Sequence, residues 1–157
     1  MKVYLGLGSN LGDSETYLRE AISALDRPTI TIGAMSRVYK TEPWGVMDQP
    51  LYWNQVLEIE TTLEPLDLLH LCQEIELQLG RERKIHWGSR TIDIDLLIYD
   101  NIVSETEELT LPHPLLEERE FVLAPLREIA PNLILPSGRS ISEVYGEGKV
   151  YALSPEN

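Results

Sequence analysis

Residues Thr91 to Tyr99 read T-I-D-I-D-L-L-I-Y, and this run sharply limits how the chain can fold around it. β-branched residues alternate with aspartates and then give way to a continuous apolar stretch, which is the pattern of a strand. Simple alternation puts Ile92, Ile94, Leu96 and Ile98 on one face and Asp93, Asp95, Leu97 and Tyr99 on the other. The Cα atoms of the two aspartates then sit roughly 6.5–7 Å apart. Two carboxylates at the edge of a largely buried strand repel each other unless something compensates. One or two hard cations with oxygen ligands would do so. A polar strand face that simply meets water is the plainer alternative, and a D-x-D pair alone is a weak signal.

Just upstream lies the densest basic cluster, with Arg81, Arg83, Lys84 and Arg90 around His86. Four of the 13 Lys and Arg residues thus fall within ten positions. Carboxylates beside cations suit a magnesium-polyphosphate ligand, because the metal needs the aspartates and the remaining phosphate charge needs the arginines. Trp87 adds a stacking surface and Gly88 adds backbone freedom. A solvated charged loop is the bland reading of the same residues.

The bulk numbers bound the rest. A length of 157 residues predicts one domain spanning 1–157, large enough for a core without staples. A net charge of -13 argues against nucleic acid and anionic membrane as partners. The acidic patch at Glu105, Glu107 and Glu108 reads as a solvated loop. The single cysteine, Cys72, lies in an apolar helical pattern and reads as a core residue. With no disulfide framework, no secretory signal and no membrane-length apolar run, the expectation is a cytoplasmic protein, and the small domain with its acidic surface suits a monomer.

Along the chain, Val3 to Leu7 predicts a strand. Gly6 to Gly12 follows as a tight strand-to-helix turn, without the Lys of a P-loop. Asp13 or Ser14 caps a helix to about Asp26. Thr29 to Lys40 predicts a second strand, Thr41 to Pro50 a loop, and Leu51 to Thr62 a third strand. A helix runs from Pro65 to Gly80. After the aspartate strand come a short strand at Leu109 to Leu111, a helix at Phe121 to Ile129 despite Pro125, and a helical turn at Ile141 to Tyr145. The order β-α-β-β-α-β predicts an α+β, ferredoxin-like core: an antiparallel sheet with helices packed on it, plus a C-terminal extension. Such a fold hosts many functions, so the function must come from the site.

Two further groups point to ligands. Thr41 to Asn54 carries Trp44, Tyr52 and Trp53 and ends in an amide. Aromatic faces and an amide suit a flat heterocycle, although core packing explains Tyr52 and Trp53 equally well. His113-Pro114, with Arg119 and Phe121, gains weight only beside the other groups.

With these residues assembled, the chain closely resembles the 6-hydroxymethyl-7,8-dihydropterin pyrophosphokinases of folate biosynthesis. The resemblance rests on G-S-N-L-G near the N-terminus, Q-x-x-E at Gln73 to Glu76 and G-R-x-R at Gly80 to Arg83. W-G-S-R-T-I-D-I-D-L-L at Trp87 to Leu97 and P-H-P-x-x-x-x-R-x-F-V-L-x-P-L at Pro112 to Leu126 complete it. It implies transfer of the ATP pyrophosphoryl group to the pterin hydroxymethyl, with AMP leaving. Asp93 and Asp95 would hold two Mg²⁺ ions. Arg81 and Arg90 would meet phosphates and join the aspartates in catalysis. Gln73, Glu76, Arg83, Trp87, Leu96, Thr110, His113 and Arg119 would complete the ATP site. Thr41, Pro43, Trp44, Tyr52, Asn54, Asp95 and Phe121 would hold the pterin, with Tyr52 and Phe121 on either side of its ring. His86 stands where some members carry Arg, and Pro114 where some carry Tyr.

Two rivals remain at this level. A small-molecule sensor of ferredoxin-like fold has no need of paired carboxylates. A metal-dependent phosphohydrolase needs a water-positioning base and leaves the aromatic pocket unexplained.

Overall fold

The structure is a computed structural model that describes residues 1–10, 13–41, 52–80 and 92–153. Its elements run β1 (Lys2–Ser9), α1 (Ser14–Leu25), β2 (Ile30–Met35), β3 (Tyr39–Thr41), β4 (Tyr52–Thr61), α2 (Pro65–Gly80) and β5 (Asp93–Tyr99). A small hairpin, β6 (Ser104–Glu105) with β7 (Thr110–Leu111), then α3 (Glu120–Ile129), a 3₁₀ turn at Ile141–Glu143 and β8 (Val150–Ala152) complete the chain.

The main sheet is ordered β5-β1-β4-β3-β8, with β2 also paired to β4, and every pairing is antiparallel. This is the expected ferredoxin-like arrangement, widened by one strand from the C-terminal extension. Sequence reasoning missed β8 because Val150–Ala152 is short and carries no alternating apolar pattern; its residues are half-buried or exposed.

Each sheet face has its own core. Val3, Leu5 and Leu7 of β1 alternate inward onto α1 and α2, joined by Leu18, Ala21, Leu68, Cys72 and Ile75. The opposite face carries Tyr4 and Val56, covered by Val122, Leu123 and Leu126 of α3 and by Ile141 and Val144. Asp13 starts α1 as expected: one carboxylate oxygen accepts from the Thr16 amide at 3.2 Å. That satisfies one of the donors a helix N-terminus leaves over.

Two expectations need correction. Thr29 to Lys40 is not one strand. The register shifts between Ile32 and Met35, and Ser36 stands between β2 and β3. The Ser36 hydroxyl accepts from the Val56 amide at 3.0 Å and its own amide donates to the Val56 carbonyl at 2.9 Å. Gly33 passes so close to Glu58 that a Cβ would lie 3.0 Å from its carboxylate.

The faces of β5 also depart from simple alternation. Tyr4 pairs with Ile98 but Leu5 pairs with Leu96, so Leu97 is the extra residue of a β-bulge. Leu97 and Ile98 therefore both pack on the α3 face, and Tyr99 turns to the helical face, where its hydroxyl donates to the Leu63 carbonyl. Alternation holds for Asp93 and Asp95, which lie before the bulge.

Cys72 is fully buried, and burial, helped by the Glu76 and Asp95 carboxylates, pushes its thiol up to about 12. In the native protein at pH 8 the thiol is therefore protonated and shielded. A colourless-to-yellow disulfide reagent should report no accessible thiol until denaturant is added; rapid labelling of the folded protein would contradict this packing.

Candidate active site

The site grows from the register of three strands. Asp93 of β5 pairs with Gly8 of β1, and Gly8 pairs on its other side with Asn54 of β4. One step along, Asp95 pairs with Gly6, and Gly6 pairs with Val56. The two aspartates, the two glycines and Asn54 thus share the sheet face that carries α3. The strand between the carboxylates and the amide contributes no side chain there. Both glycines have close neighbours: a Cβ at Gly8 would sit 3.3 Å from Asn54 Oδ1, and one at Gly6 would sit 3.4 Å from Leu97. Glycine at these positions lets the Asn54 amide and the Leu97 side chain lie close against the backbone of β1, on the face that carries Asp93 and Asp95.

Asn54 is buried at 7% exposure and its Nδ2 donates to Thr41 Oγ1 at 2.8 Å. This bond fixes the amide and leaves its oxygen over Gly8. Tyr52 lies two residues earlier on the same face and is half-buried. Trp53 takes the other face, packs against the helical core and lies under Lys40, 5.1 Å from the ring centroid. The two aromatics, equivalent in sequence, thus separate into a face residue and a core residue.

β5 is an edge strand, and its neighbours shape that edge. Glu76 reaches from α2 so that its Oε2 accepts from the Ile94 amide at 2.7 Å, between the two aspartates. The His113 amide donates to the carbonyl of the bulge residue Leu97 at 2.9 Å, which draws the Pro112–Pro114 segment onto the strand. His113 Nδ1 accepts from the Leu115 amide at 3.1 Å. A backbone N–H can only donate, so the neutral ring carries its proton on Nε2. Burial holds this imidazole below its ordinary value; the Asp95 carboxylate pulls it up and the Arg119 guanidinium pushes it down. Arg119 precedes α3 and lies over the Phe121 ring, 5.4 Å from its centroid.

Of the residues singled out from sequence, Asp93, Asp95, Asn54, Thr41 and Tyr52 share one sheet face by register, His113 is bonded to the β5 edge, and Arg119 and Phe121 stand at the start of α3. Asp95 is exposed and Asp93 half-buried. Gln73 is exposed on α2, and Thr110 is exposed on β7. Leu96 is buried in the helical core, so only its backbone can face a ligand. Pro43, Trp44, Arg81, Arg83, His86, Trp87 and Arg90 lie outside the described residues. Among the described residues no group of three or more His, Cys, Asp or Glu could hold a metal by itself. Two carboxylates without a third suit a cation that takes its other ligands from a bound phosphate and water. Sequence reasoning read Gly6 and Gly8 as part of a tight turn, with Gly8 opening G-S-N-L-G; their pairing with the aspartates lies in the strand register, which no motif carries.

The architecture is that of an α+β domain with an antiparallel sheet, and comparison with known proteins gives the class. The family model described as 7,8-dihydro-6-hydroxymethylpterin-pyrophosphokinase matches residues 4–131. The chain belongs to this family and is a pyrophosphokinase. It is 49% identical over 127 residues to the 2-amino-4-hydroxy-6-hydroxymethyldihydropteridine pyrophosphokinase of Bacillus subtilis, covering 80% of this chain and 76% of that one. It is 42% identical over 156 residues to the Haemophilus influenzae protein of the same name, covering 97% and 98%. A crystal structure of HPPK-DHPS in complex with substrates superimposes with a TM-score of 0.73 at 15% identity, which speaks to the fold alone. That match covers 92% of this chain and 42% of the solved one. No helix among the described residues is long and apolar enough to cross a membrane.

The Glu76 contact gives a test independent of catalysis. Glu76→Ala leaves the Ile94 amide without that acceptor and should cost about 1–3 kcal/mol in denaturant unfolding. Glu76→Gln, which keeps an acceptor oxygen, should lose clearly less. Equal losses would show that the bond does not secure the edge of β5.

Proposed function

We propose that this pyrophosphokinase transfers the pyrophosphoryl group of ATP to the hydroxymethyl of 6-hydroxymethyl-7,8-dihydropterin, releasing AMP, in folate biosynthesis. The observation that supports this reading is the register of one sheet face, with Asp93 and Asp95 on one side of Gly8 and Gly6 and the fixed Asn54 amide on the other. An acidic edge beside a fixed amide suits one ligand that needs a cation and another that is a flat heterocycle.

Asp93 and Asp95 would hold two Mg²⁺, which supply charge neutralisation across the triphosphate and a Lewis acid at its reacting phosphorus. The chain's own residues do the rest. Asn54, fixed by Thr41, would read the pterin edge, while Tyr52 and Phe121 stack on its ring beside Pro43 and Trp44. His113, as a neutral Nε2–H donor, and Arg119, as a cation, would meet phosphate oxygens. Arg81 and Arg90 would stabilise the charge that builds up on transfer. Gln73, Glu76, Arg83, Trp87, Leu96 and Thr110 would complete the nucleotide side. In-line positioning of the hydroxyl against the β-phosphorus carries the reaction without a dedicated general base. The 157 residues would act as one domain, as a cytoplasmic monomer.

Two substitutions test the division of labour. Asp95→Asn should cut turnover by orders of magnitude while its unfolding curve stays that of the wild type; near-normal turnover would remove the metal assignment. Phe121→Ala should weaken dihydropterin binding by about 1–3 kcal/mol, by analogy with base stacking, and leave ATP affinity almost unchanged. Equal weakening of both ligands by calorimetry would contradict the pterin assignment.

A further inference from the structure

α3 has no side-chain cap at its N-terminus. Arg119 stands at the N-cap position in extended conformation and makes no side-chain capping bond. The backbone of the C-terminal extension takes over that role. The Glu120 amide donates to the Glu147 carbonyl at 3.1 Å, and the Glu147 amide donates to the Glu118 carbonyl at 2.9 Å. Together these form a parallel bridge between Arg119 and Glu147. Gly146 packs so tightly here that a Cβ would lie 2.7 Å from the Arg119 nitrogen, the Glu118 carbonyl carbon and the Glu120 nitrogen. Three backbone atoms at that distance cannot give way as the tip of a side chain can.

Side chains lock the same contact. Glu120 accepts from the Gly146 amide at 2.9 Å through one oxygen and from Arg127 Nη1 at 3.0 Å through the other. Arg127 also donates to the Val144 carbonyl at 2.6 Å and the Ile141 carbonyl at 3.3 Å, and lies over the Tyr145 ring at 4.3 Å. Its paired charges are mostly buried, with side-chain exposures of 20% for Arg127 and 14% for Glu120. Such a pair is costly to break on one side, so the arrangement is held firmly.

We propose that this C-terminal strap positions the catalytic face of the enzyme: Gly146 and Arg127, which belong to neither substrate site, set where Arg119 and Phe121 stand. The inference rests on the reading of Arg119 and Phe121 as ligand contacts. A displacement of the backbone by about 1 Å at such a point can cost about 100-fold in rate.

The test compares Gly146→Ala with Gly138→Ala. Gly138 has φ +94 and open space around it, so alanine there strains the extension without pushing on Arg119. Both variants are assayed where circular dichroism shows them fully folded. Gly146→Ala should lose at least about tenfold in kcat/KM, and amide exchange over 119–123 should accelerate, while Gly138→Ala keeps wild-type values for both. Equal kcat/KM for the two variants would overturn the proposal. If Gly146→Ala does not fold, Arg127→Met, which removes the donors but keeps the stem, carries the same expectation against the same control. If the wild type itself shows no transfer to the dihydropterin, the functional reading fails separately. The positioning inference is then decided by calorimetry with Mg-ATP: it stands if Gly146→Ala binds more weakly than Gly138→Ala and falls if the two bind alike.

Discussion

Two like charges two residues apart on one strand cannot be covered by apolar packing, and the rest of the molecule is arranged around that fact. The sheet has two faces to bury. The α1–α2 face is lined by Val3, Leu5 and Leu7 of β1 and Ile94 and Leu96 of β5, and the buried Ser9 hydroxyl at its end bonds to Ser14 of α1. The α3 face closes only over Tyr4, Val56, Leu97 and Ile98. Towards Asp93 and Asp95, the one half-buried and the other exposed, β1 contributes only glycine. The bulge at Leu97 marks the boundary: it gives the α3 core two consecutive apolar residues just where the acidic stretch ends.

The edge of β5 is the second consequence. An edge strand exposes backbone donors and acceptors. Here Glu76 takes the Ile94 amide and His113 gives its amide to Leu97, so an acidic side chain and a histidine are drawn to the aspartates by backbone bonding. The elements that complete the fold at this edge are thus the same ones that border the site. The C-terminal extension does the matching task at the start of α3, where backbone hydrogen bonds replace a helix cap.

Much of this was legible in the sequence. The strand and helix order of the first hundred residues followed from period and punctuation: Gly and Pro at the breaks, Asp13 at the cap, apolar spacing in Pro65–Gly80. The aspartates stood out because β-branched neighbours on both sides left them nowhere to hide. Pairing geometry was not legible. The bulge at Leu97, the split at Ser36 and the glycines paired with the aspartates arise from which residue faces which across strands, and a single strand's alternation carries no information about its partner. Tyr52 and Trp53 were indistinguishable in sequence for the same reason: only the register sends Tyr52 to the face of Asn54 and Trp53 against the helical core. The strap at Gly146 was invisible because a glycine needed for close backbone approach looks like a glycine in any turn.

The central claim is that one sheet face serves both a metal-bound triphosphate and a flat acceptor, so that ATP breakdown depends on the acceptor. It is tested most directly by following AMP formation from ATP and Mg²⁺ with and without 6-hydroxymethyl-7,8-dihydropterin. The account predicts AMP in step with diphosphorylated pterin when the pterin is present, no ADP, and almost no AMP without it. Phosphate or ADP release regardless of pterin would contradict it and make this face a hydrolase site.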